Sequence, residues 1–283
     1  MEGPLTRALA EQLNELVTGK PLERILVPEG RWQANMLLLN CVGQVIQRVR
    51  SHGKWLFFDF SHGVTWLCQL ITRSKWEVVS ATEAAGFARR AKRRPLLTVY
   101  LRNPGGGPPF AAVLSGRPIF YIVPTAKVWS HPDISAMGPD PLATATFHDV
   151  FPYRLRQHPQ RTIAAALLDQ ETVAGLGNML KCEILYATRL WPGVKVASLL
   201  ASQIDFLAGT VVGIVATAAT FASKNQTFPW RVYDRAGLPC GICGGEIAVD
   251  RRGGDNHLTW YCPACQTLGK EPLLFEETEQ GRS

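Results

Sequence analysis

The sequence predicts a multi-domain α+β protein: an N-terminal antiparallel β-sandwich or barrel led by one helix, then a helical module, then a metal-held β-hairpin. Three observations predict it. A series of short segments between residues 44 and 123 is rich in aromatic and β-branched residues and is separated by turn-forming Gly, Pro and Ser. From Pro139 onward the apolar residues recur at helical spacing instead of alternating. Near the end, Cys240 and Cys243 are followed by Cys262 and Cys265, two C-x-x-C knuckles at the separation of a zinc ribbon.

The first element lies in MEGPLTRALAEQL. Pro4 suits an opening helical turn, where its missing N–H is no loss. Leu5, Leu9, Leu13 and Leu16 share one helical face, expected to be the buried one, and Gly19 is the expected stop. The strand-like segments QVIQRV, KWLFFDF, VTWLCQLI, KWEVV, LLTVYL, FAAVL and IFYIV follow, punctuated by SHGK, SHG, NPGGGPP and SGRP. Within this module, ARRAKRRP at 88–95 reads as a solvated basic loop able to touch phosphate. HPDISAMGPDPL is the linker, which places the boundaries at 1–125 for the sandwich, 126–148 for the linker, 149–226 for the helical module, 227–269 for the hairpin and 270–283 for a tail. Helical spacing runs through FHDVFPYRLRQ, RTIAAALLDQETVAGLGN, MLKCEILYATRL and LLASQIDFLAGTVVGIVATAATFASK. Gly175 and Gly177 permit positive backbone torsions, and Asn178 with the N–H groups after it forms either a phosphate seat or an ordinary helix cap.

The four cysteines of the knuckles predict one structural zinc ion. Four thiolates leave no coordination position open, so the metal organises a hairpin and performs no chemistry. Arg231, Arg235, Arg251, Arg252 and His257 cluster around that hairpin with Trp230 and Trp260. Guanidinium groups on a rigid hairpin suit phosphate, and the aromatic rings either pack the hairpin or meet a base. Cys41, Cys68 and Cys182 sit among apolar residues and read as buried core. An odd total of 7 cysteines argues for reduced thiols over a disulfide framework. A net charge of +7 favours a polyanionic partner. No apolar run reads as long enough for a bilayer and no secretory signal opens the sequence, so no membrane partner is expected. The expected setting is cytoplasmic, at the nucleoid, or nuclear, and the expected state is a monomer.

The order of MEGP, SHGKWLFF at 51–58, QETVAGLGNMLKCEILY at 170–186, and VYDRAGLPCGICGGEI with TWYCPACQ resembles the formamidopyrimidine-DNA glycosylase and endonuclease VIII family, from the start to about Gln266. VTWLCQLITRSKWEVV looks more like the endonuclease VIII branch. The resemblance implies a β-sandwich, a helix-two-turn-helix module and a zinc-finger hairpin. It also implies a DNA-repair glycosylase with abasic-site lyase activity, acting on damaged DNA and in this branch on oxidised pyrimidines. In that family the N-terminal α-amine attacks C1′ of the damaged nucleotide, an imine forms, and the adjacent glutamate shuttles protons. An α-amine has a reference pKa of about 7.7–8.0, which leaves a nucleophilic fraction near neutrality. On this sequence those roles fall on Met1 and Glu2, and the helix is expected to begin almost at the terminus because the terminus is the tool. Lys54, in the matching GK motif, and Asn178, in GLGN, resemble the residues that pin the flanking phosphates. The target nucleotide must leave the stack, and by position Ile71, Thr72 and Arg73 match the segment that fills the gap.

Two departures stand beside the resemblance. The family pattern is Met-Pro-Glu-Gly-Pro with the exposed proline as nucleophile; here the proline is missing, and a retained Met1 supplies a primary amine at its position. His257 stands where the zinc finger carries a phosphate-gripping arginine, and it offers no bidentate fork. These departures leave a rival expectation: a catalytically impaired member that binds damaged or abasic DNA. Charge and ribbon alone also fit an RNA-binding zinc ribbon, which would show no preference for abasic over intact DNA.

Overall fold

A computed structural model describes residues 1–27, 35–71, 73–90, 94–251, 253–254 and 256–269. The expected contacts of Thr72 and Arg252, residues 91–93 of the basic run, and the 270–283 tail lie outside the described residues. The chain divides into two compact units that interleave in sequence. One holds Met1–Phe147, Gln170–Gly177 and Val215–Phe228, and the other holds His148–Asp169, Asn178–Ile214 and Pro229–Ser283.

The first unit opens with α1 (Gly3–Val17), β1 (Leu22–Leu26) and α2 (Met36–Leu39). Then come β2 (Ile46–His52), β3 (Trp55–Phe60), β4 (Val64–Gln69) and β5 (Lys75–Ser80). After α3 (Ala81–Ala85) and α4 (Phe87–Arg90), it continues with β6 (Pro95–Leu101), β7 (Phe110–Ser115), β8 (Ile119–Pro124) and α5 (Pro132–Ser135). The strands form two antiparallel sheets of 4 strands, ordered β1-β6-β7-β5 and β2-β3-β4-β8. Leu97, Leu101 and Leu114 of one sheet share a core with Leu56, Phe58 and Trp66 of the other, so the expected sandwich is present. β3 reads as a continuous apolar run because both its faces are covered. Leu56, Phe58 and Phe60 face the inter-sheet core, while Trp55 and Phe57 join Leu67, Val128 and Ile134 on the other side.

The leading helix corrects one expectation. Its buried face is Gly3, Pro4, Thr6, Ala10, Leu13 and Val17, while Leu5 and Leu16 are 45% and 37% exposed. α1 packs on β2, where the Asn14 Oδ1 accepts from the Val49 N–H at 2.7 Å. Backbones this close favour the small residues Thr6 and Ala10 over the leucine stripe. Gly19 follows the helix at φ +76°, a stop only glycine adopts without strain. β1 was not read from the sequence, because its edge position leaves it alternately charged and half exposed.

The second unit contains α6 (Phe147–Arg156) except its first residue, α7 (Ile163–Leu168), α8 (Asn178–Ala187) and the hairpin β9 (Ala248–Asp250) with β10 (Thr259–Tyr261). The expected helix over 161–178 ends at Leu168, and the segment beyond it belongs to the first unit. Cys182 is fully buried and packs with Tyr186, Val232, Ile247, Cys240 and Cys262, so α8 is the floor beneath the hairpin. Cys41 and Cys68 are likewise buried, as expected of core thiols. The long helix α9 (Ala201–Ser223) corrects the reading that no apolar run reaches bilayer length, since its 23 residues suffice by length and composition. Its buried stripe of Ile204, Leu207, Ala208, Val211, Val215 and Ala218 is nevertheless the i, i+3, i+4 pattern of a helix packed in protein.

Candidate active site and nucleic-acid interface

In the first unit one glycine, Gly177, lies against the Glu2 carboxylate, and three others, Gly3, Gly53 and Gly175, pack against one another. Glu2 is the N-cap of α1, and its backbone carbonyl accepts from the Thr6 N–H at 3.0 Å and the Thr6 hydroxyl at 3.1 Å. The residue is only 7% exposed, unusual for a glutamate in a first turn. Its side chain lies against Gly177, where an added Cβ would stand 2.3 Å from Oε1. The next residue, Gly3, donates its N–H to the Gly175 carbonyl at 2.8 Å. Gly175 has φ +94° and touches Gly3 on one side and Gly53 on the other. Any side chain at these three positions would push apart the segments that present Glu2 and Lys54.

Lys54 sits in the two-residue loop joining β2 to β3, after Gly53 at φ +56°, the left-handed first position that type II′ hairpins reserve for glycine. The buried Asp140 accepts from the Gly53 N–H at 2.7 Å through Oδ2 and from the Leu142 N–H at 2.8 Å through Oδ1. The Gln170 side chain pins the glycine loop from inside, accepting from the Gly175 N–H and donating to the Leu176 carbonyl, both at 3.0 Å. Burial lowers the Lys54 pKa from the ordinary lysine value, and the Glu2 charge works against that shift. The two side chains therefore sense each other directly. Asp140 was missed by sequence reasoning because nothing local marks a carboxylate that holds the backbone of another segment, and Gln170 because its loop reads as a helix.

Met1 is 40% exposed and lines one end of an open groove of about 730 Å³ running between α1 and the β4–β5 turn. Leu5, Leu9, Leu16, Ile71 and Arg73 also line it. Ile71 is 43% exposed and Arg73 holds φ 60°, a left-handed conformation uncommon for arginine. The leucines that α1 does not bury thus face this groove. Met1, Glu2, Lys54, Ile71 and Arg73 all belong to this unit.

The second unit holds the remaining site residues. The Asn178 side-chain amide donates to the Leu258 carbonyl of the hairpin at 2.9 Å, while its Oδ1 is buried with no hydrogen-bond partner among the described residues. Gly177 keeps a non-left-handed φ and serves Glu2 by close approach, in contrast to the torsional role expected of it. The helix α8 devotes two buried charged residues to the hairpin. Lys181 donates to the Thr259 hydroxyl at 2.8 Å, and the Glu183 carboxylate accepts from the Arg231, Val232 and Tyr233 N–H groups, each at 2.9 Å. Glu183 fixes the backbone from which the exposed Arg231 side chain extends. Arg251 donates to the Asn256 carbonyl at 2.6 Å, bracing the hairpin tip on which His257 is exposed. Trp230 and Trp260 both contact the Tyr233 ring, so these aromatics pack the hairpin.

The ligand sulfurs of Cys240, Cys243, Cys262 and Cys265 all lie within 4.8 Å of one another, with Cys243–Cys262 at 3.5 Å and Cys240–Cys265 at 3.8 Å. A tetrahedral ion with thiolates at about 2.3 Å requires sulfurs about 3.8 Å apart, so the four residues can hold a single metal ion. The Tyr186 hydroxyl, 3.2 Å from the Cys240 sulfur, supplies an outer hydrogen bond.

A family model described as the formamidopyrimidine-DNA glycosylase H2TH domain matches residues 137–228. Endonuclease 8 of Escherichia coli O17:K52:H18 (strain UMN026 / ExPEC) is 29% identical over 276 residues, covering 94% of this chain and 99% of that protein. Endonuclease 8 of E. coli O157:H7 is 29% identical over 278 residues with the same coverage. Among solved structures, Lactococcus lactis Fpg in complex with DNA containing an abasic site has a TM-score of 0.79 at 23% identity, covering 94% of this chain and 99% of that one. The same bacterium's Fpg with DNA containing an oxidised pyrimidine has a TM-score of 0.78 at 23% identity and equal coverage. Residues 137–228 thus match the H2TH domain of formamidopyrimidine-DNA glycosylase, and over 94% of its length the chain is similar in sequence to endonuclease 8 and in fold to Fpg.

Proposed function

We propose that this chain is a DNA glycosylase with abasic-site lyase activity that removes oxidised bases, pyrimidines foremost, through an imine on the α-amine of Met1. The observation that carries the reading is Glu2: a buried carboxyl seated by Gly177, adjacent in sequence to Met1 and within electrostatic reach of Lys54. The neutral amine adds at C1′, the C1′–base bond breaks, and the departing base takes a proton. Ring opening gives a protonated imine, loss of a C2′ proton expels the 3′ phosphate, and water then returns the amine. Glu2, held in place before substrate arrives, is the group that gives and takes protons beside C1′. Preorganisation of this kind removes reorganisation cost from the chemical step.

Phosphate contacts fall to Lys54, Asn178, Arg231, Arg251, Arg252 and His257. Ile71, Thr72 and Arg73 fill the space left by the extruded nucleotide. Zinc is the ion that four cysteines in this geometry suit best, and when bound it fixes the hairpin and supplies no reactive position. The net charge of +7 matches a partner read through its backbone, so affinity falls with salt, and each lost phosphate contact lowers the logarithmic slope by about one.

The test uses purified protein on a duplex with one oxidised pyrimidine and on a duplex with one abasic site. Base release and strand nicking are expected, both lost in Glu2→Gln with affinity for the abasic duplex retained. Tight abasic binding with neither release nor nicking would overturn the enzyme assignment and leave a damage-binding protein.

A further inference from the structure

The centre contains a second primary amine besides that of Met1, and its surroundings are built with the same care. Lys54 follows Gly53, whose N–H is held by the buried Asp140 and whose Cα touches Gly175. An added Cβ at Gly53 would meet Ala174 at 2.9 Å, the Met137 terminal methyl at 2.9 Å and the Gly175 nitrogen at 3.0 Å, so the turn has one way to sit. That packing fixes the turn that carries the half-buried Lys54, whose ammonium interacts with the charge of Glu2, the proposed proton-transfer group of the centre. A lysine that only gripped phosphate would gain from full hydration and from distance to a carboxylate.

We propose that the Lys54 side-chain amine is itself an imine-forming nucleophile of this centre, attacking the C1′ aldehyde of an abasic site beside the same Glu2 carboxyl that serves the α-amine of Met1. The inference rests on the lyase reading above and adds a route to it. With Met1 as the proposed amine, that amine is primary and gives the same kind of imine as a lysine. A secondary amine would have given an obligatorily charged iminium that a lysine could not match; here that advantage is gone. Burial of Lys54 also favours the neutral, nucleophilic form, which narrows the gap to an α-amine.

The step balances without any further reagent. The Nζ lone pair adds to the aldehyde carbon, and the resulting hydroxyl leaves as water after taking a proton from the Glu2 carboxyl. The Nζ–C1′ double bond forms and remains protonated. Loss of the C2′ proton expels the 3′ phosphate and cleaves the strand. Hydrolysis by one water frees the lysine. In its charged form the same ammonium holds a phosphate, and the two roles belong to different protonation states.

The experiment is borohydride capture on an oligonucleotide with a single abasic site, followed by digestion and mass-spectrometric mapping of the DNA-bearing peptide. It compares the natural chain, Lys54→Arg, a chain whose Met1 nitrogen is closed as an amide by an N-terminal extension, and the extended chain carrying Lys54→Arg. Adducts on Lys54 are expected in the natural chain, and the extended chain should still be captured, wholly on Lys54. Adding Lys54→Arg to the extension should cut capture by at least about tenfold. Lys54→Gln and thermal melts of each variant separate loss of the amine from loss of the fold. Adducts on Met1 alone, with an extended chain that binds abasic DNA yet is not captured, would overturn the inference and leave the proposed function standing. Adducts on some other lysine would also overturn it. Failure of every chain to be captured would overturn the lyase reading itself.

Discussion

Gly177→Ala is the substitution that most sharply separates catalytic geometry from folding. The methyl it adds would lie 2.3 Å from Glu2 Oε1, 2.6 Å from Cγ and 2.7 Å from Cδ. Gly177 does not use a left-handed φ, so alanine costs nothing in backbone strain. The collision is relieved only if the Glu2 carboxyl retreats by about 1 Å, to an ordinary carbon–oxygen contact of about 3.4 Å. A displacement of that size at a proton-transfer group costs on the order of 100-fold in rate, equivalent to about 2.7 kcal/mol of transition-state stabilisation. Glu2 lies at the start of α1 and can swing away from its seat, so the stability cost should fall at or below the low end of the roughly 1–3 kcal/mol seen for overpacked cores. Single-turnover base release and strand nicking with protein in excess give the rate, binding to a non-cleavable abasic analogue gives the affinity, and thermal unfolding gives the stability. The expected pattern is a large fall in rate with small changes in the other two. A Gly177→Ala rate within about threefold of the natural chain would refute the argument that the glycine seats the carboxyl.

Four further outcomes follow from the same structure. Asp140→Ala should leave the buried Gly53 N–H and the partly buried Leu142 N–H without their acceptor and cost about 2 kcal/mol or more by chemical denaturation, with Asp140→Asn recovering part of it. Glu183→Ala removes a charged acceptor from three backbone N–H groups, and a loss on the order of 3 kcal/mol is expected, together with faster proteolysis of the hairpin while the sandwich stays resistant. Stripping the metal with a chelator should release one ion per chain, weaken DNA affinity and expose the same hairpin; unchanged affinity would remove the hairpin from the interface. The folded Lys54 binds its proton less tightly than the unfolded chain does, so from its lowered pKa up to about 10.4 the unfolded state holds more protons and this residue makes stability rise with pH. Melting series of the natural chain and Lys54→Met should converge or cross in that range, and parallel curves would contradict the burial argument.

The sandwich strands were legible because aromatic and β-branched runs bounded by Gly and Pro leave few alternatives, as in KWLFFDF and LLTVYL. The helix α1 was legible as a helix but not in its orientation. Leucine outranks Thr6 and Ala10 in hydrophobicity, yet contact with β2 selects small residues and turns Leu5 and Leu16 outward. The cysteine knuckles declared a metal site through spacing alone. Met1, Glu2 and Lys54 were singled out through motifs that resemble those of a family. Asp140, Glu183 and Lys181 were not found, because each acts on residues distant in sequence: Asp140 on Gly53, Lys181 on Thr259, and Glu183 on the backbone from Arg231 to Tyr233. Periodicity carries no trace of such pairings. The loop from Asp169 to Gly177 shows the same limit, since its apolar spacing resembled a helix while Gln170 and the glycines hold it in a tight non-helical turn beside Glu2.

The central claim is that an amine beside the Glu2 carboxyl forms an imine with the sugar of damaged DNA. Borohydride capture of the purified natural chain on an abasic oligonucleotide tests it most directly. A covalent protein–DNA adduct is expected that forms only with reductant and is strongly reduced in Glu2→Gln. Saturable binding of the same oligonucleotide with no adduct would contradict it.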